Sequence, residues 1–492
     1  MSPAPPLRRP LTHLRPLRLD EATSRSALAR GTLSTVGLAS QGALRLSISL
    51  LTGRVLGKVV LGTLQSAISA ATLLSLLWPT TTGAAASKYV ARARGAADGV
   101  QLQAVANHLR RRTILATVLI SCGAVPLWMS IGDATVLDSL PVAAFTAAYS
   151  GYSFTRGIQF GAGQVPRATT WDLVSAFAGV VAFVAALVCG VSGTWLLLPL
   201  SAAYGLYTAG NWPYSVTGRP SPALRKELDH FVLLGAAGTI ASTGLLQLSM
   251  IVAKATGGPE GAGQYAAAFV LATPASLLAT SLSLVLFPSL AEAWGRGDRV
   301  SFRAQTDQAA RILVVVMLTA FGSLILCSRL VIHLVWGKDF ADAAEPFPIL
   351  VLAVLVSTMG VAGSNALLTG WRKGVRVTTA ASLSGLVIGA LVWLVATPAL
   401  GILGVALGYL CGAVVIGATP LAAIWRLDGH RWLGLAMRLG TGLLLLGGIY
   451  LAQRSLELGI SWDLPAAALF CALWWMLSWK DVRVVVARGA KR

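Results

Sequence analysis

The chain has 492 residues, of which 55% are hydrophobic and 12% are charged, and its formal net charge is +20. With a mean hydropathy of +0.71, this composition excludes a soluble globular domain and indicates a polytopic membrane protein. The basic charge is read as topogenic, and the scattered cysteines and histidines form no ligand spacing. We therefore expect no nucleic-acid partner, no disulfide framework, no metal and no other cofactor.

The chain begins with a basic segment that is rich in proline and has no apolar core. Residues 1–30 are predicted to be a disordered cytoplasmic tail and not a cleaved signal peptide. A second basic tail covers residues 481–492. When the loops are assigned alternately to the two sides, most of the 39 Lys and Arg residues fall on one side. This distribution predicts that both termini are cytoplasmic, in the plasma or inner membrane.

Between the tails, apolar stretches long enough to cross a bilayer follow one another along the whole chain. A crossing helix needs about 20 residues. The sequence therefore predicts an all-α integral membrane protein with about fourteen transmembrane helices. The predicted spans are 32–53, 59–83, 113–131, 139–162, 171–191, 193–213, 231–254, 264–289, 311–335, 347–370, 376–396, 400–425, 434–453 and 463–479.

Arg45 lies in the middle of the first predicted span, within Gly42-Ala-Leu-Arg-Leu-Ser47. A charged side chain is costly in lipid, so a central arginine usually faces a watery cavity and marks a substrate path. Polar residues three or four positions apart share one face of a helix. The candidate cavity-lining residues, taken from spans 1, 4 and 7, are Arg45, Gln41, Ser34, Gln247, Thr243, Arg156, Gln159, Arg54 and Lys254.

An internal repeat organises the chain, because the pattern Gly42–Ser47 returns as Gly244–Ser249, with Gln247 in the place of Arg45. Six predicted spans separate the copies. An even number preserves orientation, so the repeat is parallel, about an axis along the membrane normal. The predicted domains are two six-helix lobes at 31–220 and 221–428, followed by an extra C-terminal helix pair at 429–480.

Several short motifs follow in a fixed order along the chain. They are Arg54-Val-Leu-Gly57 with Gly62, Gly263-Gln-Tyr-Ala-Ala-Ala268, Leu286-Phe-Pro-Ser-Leu-Ala-Glu-Ala293 and Val335-Trp-Gly-Lys-Asp-Phe340. In order and spacing they resemble the polysaccharide-precursor flippases of the multidrug, oligosaccharidyl-lipid and polysaccharide exporter superfamily. The resemblance implies two six-helix lobes around a central cavity, transport by rocking of the lobes, and two added helices bordering a groove for a lipid tail.

The acidic residues are predicted to lie in loops or at helix edges. Asp138 and Asp172 come closest to a span, and both are read as interfacial. A drug antiporter of this superfamily is expected to use a membrane carboxylate, and the sequence predicts none. A cavity with Arg45 and no acid should prefer an anion such as a diphosphate, which arginine binds bidentately.

The sequence therefore leads to the hypothesis of a flippase, not an enzyme, that moves a polyprenyl-diphosphate-linked saccharide to the outer leaflet for polysaccharide export. Arg45 holds the diphosphate, and membrane lipids and polysaccharide-assembly enzymes are further candidate partners. The alternatives are a flippase for the peptidoglycan precursor, a multidrug antiporter, a membrane polymerase or ligase, and a non-transporting scaffold of glycan assembly. Short outer loops without gathered His, Asp and Glu argue against the enzyme.

Overall fold

A computed structural model of the protein describes residues 27–132, 134–273, 290, 293–294, 296–371 and 373–479. Within these residues every regular element is a helix. Ten helical segments of this described part are long and apolar enough to cross a membrane. A helix satisfies its own backbone hydrogen bonds, which lipid cannot do. The prediction of an all-α membrane protein is confirmed at this level.

Seven helices are described before residue 273, and a short 3-10 turn at Gly193–Leu196 precedes the sixth. Their bounds are α1 Ala27–Leu76, α2 Pro79–Gly95, α3 Gly99–Gly132, α4 Val136–Gly161, α5 Val165–Val188, α6 Leu197–Asn211 and α7 Pro222–Ala272.

Eight further helices are described between residues 299 and 477, and a π-helical turn at Leu313–Met317 joins the first two. Their bounds are α8 Arg299–Ile312, α9 Leu318–Leu326, α10 Ser328–Trp336, α11 Pro346–Gly370, α12 Gly374–Leu400, α13 Ile402–Asp428, α14 Leu433–Ser455 and α15 Asp463–Leu477.

In the described part of the chain most of each predicted span is helical, although span 59–83 crosses the turn between α1 and α2, and span 311–335 runs from α8 into α10. Residues 274–289, which complete the predicted span 264–289, lie outside the described residues. The predicted tail 481–492 also lies outside them, as does most of the predicted tail 1–30. The last residues of that first tail are already helical, because α1 begins at Ala27.

Contacts divide the chain into two compact units. The first consists of Met1–Arg45 and Leu74–Ala236, and the second of Leu46–Leu73 and Ala237–Arg492. The first unit has a core in which Phe154 and Ile158 of α4 are fully buried. In the second unit α15 joins the main core, since Trp474 of α15 is fully buried and donates a hydrogen bond to the carbonyl of Val315 at 3.2 Å. Helix α15 is thus packed into the second unit.

Two long helices, α1 and α7, each contain one residue that is not helical. Gly57 has φ 82° and ψ −177°, and Gly258 has φ 62° and ψ −167°. These angles are essentially open to glycine alone. The two breaks occupy places in the sequence repeat that differ by one residue, ten positions after Ser47 and nine positions after Ser249. Each copy of the repeat therefore ends in the same kind of helix break.

The segments that follow the two breaks touch inside the second unit through a pair of glycines. A Cβ atom on Gly62 would lie 2.6 Å from the backbone nitrogen of Gly263, and one on Gly263 would overlap the carbonyl oxygen of Lys58. Lys58 also pairs with Glu260, its Nζ lying 3.3 Å from Oε2. Backbone atoms cannot move aside as a flexible side chain can, so this contact requires glycine at both positions.

We expect Gly263→Ala to lower the free energy of unfolding by about 1–3 kcal/mol, the usual cost of forcing an added methyl group into a packed contact. The matched control is Gly261→Ala, whose Cβ would meet only Cγ2 of Ile402 at 3.4 Å, an ordinary contact distance. Thermal unfolding of the two variants in detergent, followed by tryptophan fluorescence, makes the comparison. Equal midpoints for both variants would contradict the assigned contact.

Candidate functional site

Arg45 lies on α1 in the first unit, where it is half-buried. Its Nε donates a hydrogen bond to the phenolic oxygen of Tyr204 at 2.9 Å. Its guanidinium carbon lies 4.8 Å from the centroid of the Tyr149 ring and 5.7 Å from that of Tyr204. A cation over an aromatic face gains about 0.5–2 kcal/mol, the larger value where water is excluded. The positive charge at Arg45 is therefore held in place by aromatic side chains.

Four tyrosines of α4 and α6, Tyr149, Tyr152, Tyr204 and Tyr207, form what we call the tyrosine cluster. The ring centroids of Tyr152 lie 4.8 Å from those of Tyr204 and 4.7 Å from those of Tyr207. Tyr149 is partly exposed, and the other three are buried. Sequence reasoning missed this cluster. Its available signal was a Tyr-x-x-Tyr spacing in each helix, which places both rings of a pair on one face.

A buried ion pair lies beside the tyrosine cluster. Asp172 of α5 is completely buried, and its Oδ2 accepts a hydrogen bond from Nε of Arg156 at 3.2 Å. Its Oδ1 accepts a second bond from the hydroxyl of Tyr152 at 3.0 Å. A buried carboxylate is tolerated only when its charge is paired and its lone pairs are satisfied. Arg156 and Tyr152 meet both conditions for Asp172.

The interpretation of Asp172 as interfacial stays a prediction, but the structure places its side chain inside the protein and about two turns into α5. Asp172 lies well inside α5, which is one of the candidate membrane-spanning helices, and its side chain is shielded from solvent. Its position near the start of an apolar run suggested an edge, because the sequence does not show which neighbours cover it. Arg156 and α4 supply that cover, so the absence of an acid cannot be used against cation transport.

Gln41 and Gln159, both predicted to contact substrate, are buried within the first unit. Nε2 of Gln41 donates to the backbone oxygen of Asp172 at 2.8 Å and to Oγ of Ser175 at 3.1 Å. Gln159 donates through Nε2 to Asn211 Oδ1 at 2.6 Å and accepts a bond from the hydroxyl of Tyr207. The structure therefore brings Arg45, Gln41, Arg156 and Gln159 into one polar network on α1 and α4 to α6.

Arg54, another predicted substrate residue, lies in the second unit and bonds to the end of α10. Its Nε donates to the carbonyl of Val335 at 2.7 Å and its Nη2 to that of Leu334 at 2.6 Å. The last carbonyls of a helix lack partners within the helix, and a basic side chain often satisfies them. Arg54 thus anchors α1 to α10. Its assignment to a substrate site stays a prediction.

The remaining predicted residues lie on α1 and α7. Ser34 is buried in the first unit. In the second unit Thr243 is exposed, while Gln247 and Lys254 are half-buried. They stay predictions for substrate contact.

The polar network of the first unit carries more positive than negative charge. Arg156 pairs with Asp172, and a further arginine, Arg167, is buried with its Nε 2.9 Å from Oδ1 of Asn211. Adding Arg45 leaves three guanidinium groups against one carboxylate. Such an excess favours an anion, and arginine suits phosphate oxygens because of its planar fork of donors. Among the described residues no group of three or more His, Cys, Asp and Glu could hold a metal ion.

The second unit contains an apolar cavity of 660 Å³ lined by α9, α11, α13 and α14. Leu352, Leu410 and Leu446 are typical of its wall. Glu345 and Arg454 also line it, and the same two residues line a neighbouring cavity of 390 Å³ that is rich in charged groups. An apolar space that continues to charged side chains has the chemistry of a lipid site.

A family model described as "Lipid II flippase MurJ" matches residues 219–453, which run from just before α7 to near the end of α14. None of the curated proteins matches the sequence.

Solved structures of MOP superfamily transporters share the fold. A multidrug resistance MATE family transporter in an inward-facing conformation is 17% identical, with a TM-score of 0.64 over 82% of this chain and 98% of its own. A transporter from Pyrococcus furiosus Vc1 (DSM3638), described as having a binding pocket of reverse polarity, is 16% identical, with a TM-score of 0.63 over 83% and 99%. A MATE in complex with MaL6 is 15% identical, with a TM-score of 0.59 over 82% and 96%.

At these identities the structural likeness establishes the fold alone, and the family model matches slightly less than half of the chain. The chain is therefore a multi-pass membrane protein that shares its fold with MATE transporters, and its residues 219–453 are similar to the lipid II flippase family.

Proposed function

We propose that the protein is a flippase that moves a polyprenyl-diphosphate-linked saccharide from the cytoplasmic to the outer leaflet, and that it is a transporter and not an enzyme. The observation that carries the proposal is Arg45, held half-buried on α1 by the tyrosine cluster. It belongs to a network with an excess of guanidinium groups. The family match over residues 219–453 supports the same function class independently.

In this proposal Arg45 binds the diphosphate. The guanidinium fork can offer two parallel donors to phosphate oxygens. Tyr149, the partly exposed member of the tyrosine cluster, presents a ring beside this charge. Aromatic rings and the hydroxyls of the cluster suit the carbon–hydrogen faces and hydroxyls of a sugar. The apolar cavity of 660 Å³ in the second unit is our candidate groove for the lipid tail.

The proposed architecture has fourteen crossings with both termini cytoplasmic, in two lobes plus the helix pair formed by α14 and α15. The helix breaks at Gly57 and Gly258 support fourteen crossings over the ten apolar helical segments, because α1 and α7 are each long enough for two crossings. These helices have 50 and 51 residues. Outward movement of a diphosphate runs down an inside-negative potential, which contributes about 2.3 kcal/mol per charge per 100 mV.

Two substrates fit this proposal. One is a precursor of a cell-surface polysaccharide, and the other is the peptidoglycan precursor. The description of the matching family, a lipid II flippase, favours the second. Restored growth of cells depleted of their own peptidoglycan-precursor flippase would assign that substrate. Loss of a surface polysaccharide with normal growth would assign the other.

A multidrug antiporter is the second candidate function, and buried Asp172 favours it. A membrane carboxylate can bind a proton or a cation in exchange for a drug. The ion pair with Arg156 argues against this role, since it compensates the negative charge. Efflux of a cationic dye driven by a pH gradient, and lost in Asp172→Asn, would support the antiporter.

The proposed flippase is tested by transfer of a fluorescent polyprenyl-diphosphate saccharide across liposomes that contain the purified protein. We expect transfer above protein-free liposomes, and a faster rate when the potential favours movement of the anion. A neutral lipid carrying the same fluorophore is the control and should stay in its leaflet. Transfer of both lipids alike, or of neither, would contradict the proposal.

A further inference from the structure

The first unit contains a polar cavity between the beginning of α7 and the polar N-terminal part of α3. Its volume is 610 Å³. The residues that line it are Trp78, His108, Arg112, Pro222, Arg225, Lys226, Asp229, His230 and Leu233. We call it the basic pocket. None of these residues belongs to the polar network around Arg45.

The position of the basic pocket relative to the membrane follows from the sequence of its two helices. In α3, His108 and Arg112 come directly before the apolar stretch 113–131. In α7, the polar turns that end at His230 come directly before the apolar stretch 231–254. Both helices thus change from polar to apolar at the pocket. A change of this kind marks the boundary between water and lipid, which is where lipid headgroups lie.

The pocket has uncompensated positive charge. Its one carboxylate, Asp229, is already engaged, because Oδ1 lies 3.0 Å from Nε2 of His108 and Oδ2 lies 3.0 Å from Nη2 of Arg112. Arg225 and Lys226 are exposed, and neither forms an ion pair within the described part of the chain. These two cations are therefore available to an anion that enters the pocket.

One wall of the pocket is apolar. Leu233 is 60% exposed although it belongs to an apolar stretch, and Trp78 is half-buried in the turn between α1 and α2. Tryptophan is enriched at the headgroup level of membranes. A free phosphate ion has no apolar group that could pack against this wall, whereas the first carbons of an acyl chain can.

We propose that the basic pocket binds the phosphate headgroup of an anionic membrane phospholipid in the adjacent leaflet. Arg225 and Lys226 hold the phosphate, and Trp78 and Leu233 contact the glycerol and the upper part of the acyl chains. Basic pockets between helices at this level are suited to anionic headgroups. The proposed site is separate from the transported substrate and does not depend on its identity.

The test uses the full chain, purified in detergent and incubated with phosphatidylglycerol or phosphatidylcholine of identical acyl chains. Native mass spectrometry counts the lipids that stay bound. We expect wild type to retain phosphatidylglycerol preferentially. The double variant Arg225→Gln/Lys226→Gln should weaken phosphatidylglycerol binding about thirty-fold, as expected for two basic residues near a charged surface, and leave phosphatidylcholine binding unchanged. Unchanged thermal unfolding shows that the exposed substitutions leave the fold intact.

The matched control is Lys373→Gln/Arg376→Gln, which removes two exposed cations at the beginning of α12. It should retain phosphatidylglycerol like wild type. An equal loss in both double variants would mean diffuse attraction to the whole basic surface and would overturn the proposal. So would displacement of the lipid by inorganic phosphate at equal concentration, which indicates a free-phosphate site, or retention of a polyprenyl phosphate in place of phosphatidylglycerol.

Discussion

Replacing Arg45 with alanine is expected to lower the rate of lipid-linked saccharide transfer about a hundredfold. The removed contact is a charge-assisted one in a half-buried site, where loss of a charged partner costs about 2–5 kcal/mol and each 1.4 kcal/mol is a factor of ten. The fluorescent transfer measurement in liposomes gives this rate.

Two further variants separate charge from geometry. Arg45→Lys keeps the charge and loses the planar fork of donors, so we expect a rate between those of wild type and Arg45→Ala. Arg376→Gln removes an exposed arginine at the start of α12 and should transport normally. Normal transfer by a folded and abundant Arg45→Ala protein would show that Arg45 does not bind the diphosphate.

We expect Asp172→Ala to lower the free energy of unfolding by about 3–5 kcal/mol, since breaking a buried ion pair leaves the other charge uncompensated. Arg156 is that charge, and the side chain of Asp172 is completely buried. The hydroxyl of Tyr152 also loses its acceptor. The measurement is the thermal unfolding midpoint in detergent, or survival in a detergent series, compared with wild type.

A second substitution distinguishes the loss of a partner from general damage at this position. In the double variant Asp172→Ala/Arg156→Leu the charge of Arg156 is removed together with its partner, so we expect it to be more stable than Asp172→Ala alone. If removing Arg156 as well destabilises the protein further and additively, the two side chains do not interact, and the ion pair does not hold α4 to α5.

The sequence alone was sufficient to predict a membrane protein with apolar helices along the chain and to single out Arg45 as a candidate site residue. Lipid offers the backbone no hydrogen bonds, so a segment that crosses the bilayer forms a helix, and that helix needs a long apolar run. A long apolar run in the sequence therefore predicts a helix. The same cost makes one arginine in such a run conspicuous. The repeat was also visible in the sequence, since Gly42–Ser47 and Gly244–Ser249 share a glycine, two leucines and a serine at the same spacing. The structure adds that each copy is followed by a helix break, at Gly57 and Gly258.

The partners of these residues were decided only by tertiary structure. Arg45 and Tyr204 are 159 positions apart in the sequence, and no local pattern states that they meet. The sequence does not show whether a tyrosine in an apolar span faces lipid or a guanidinium group. Asp172 looked interfacial because its burial depends on Arg156 and Tyr152, which α4 carries. The ion pairs form between packed helices, so the sequence of a single helix does not show which of its charges are paired.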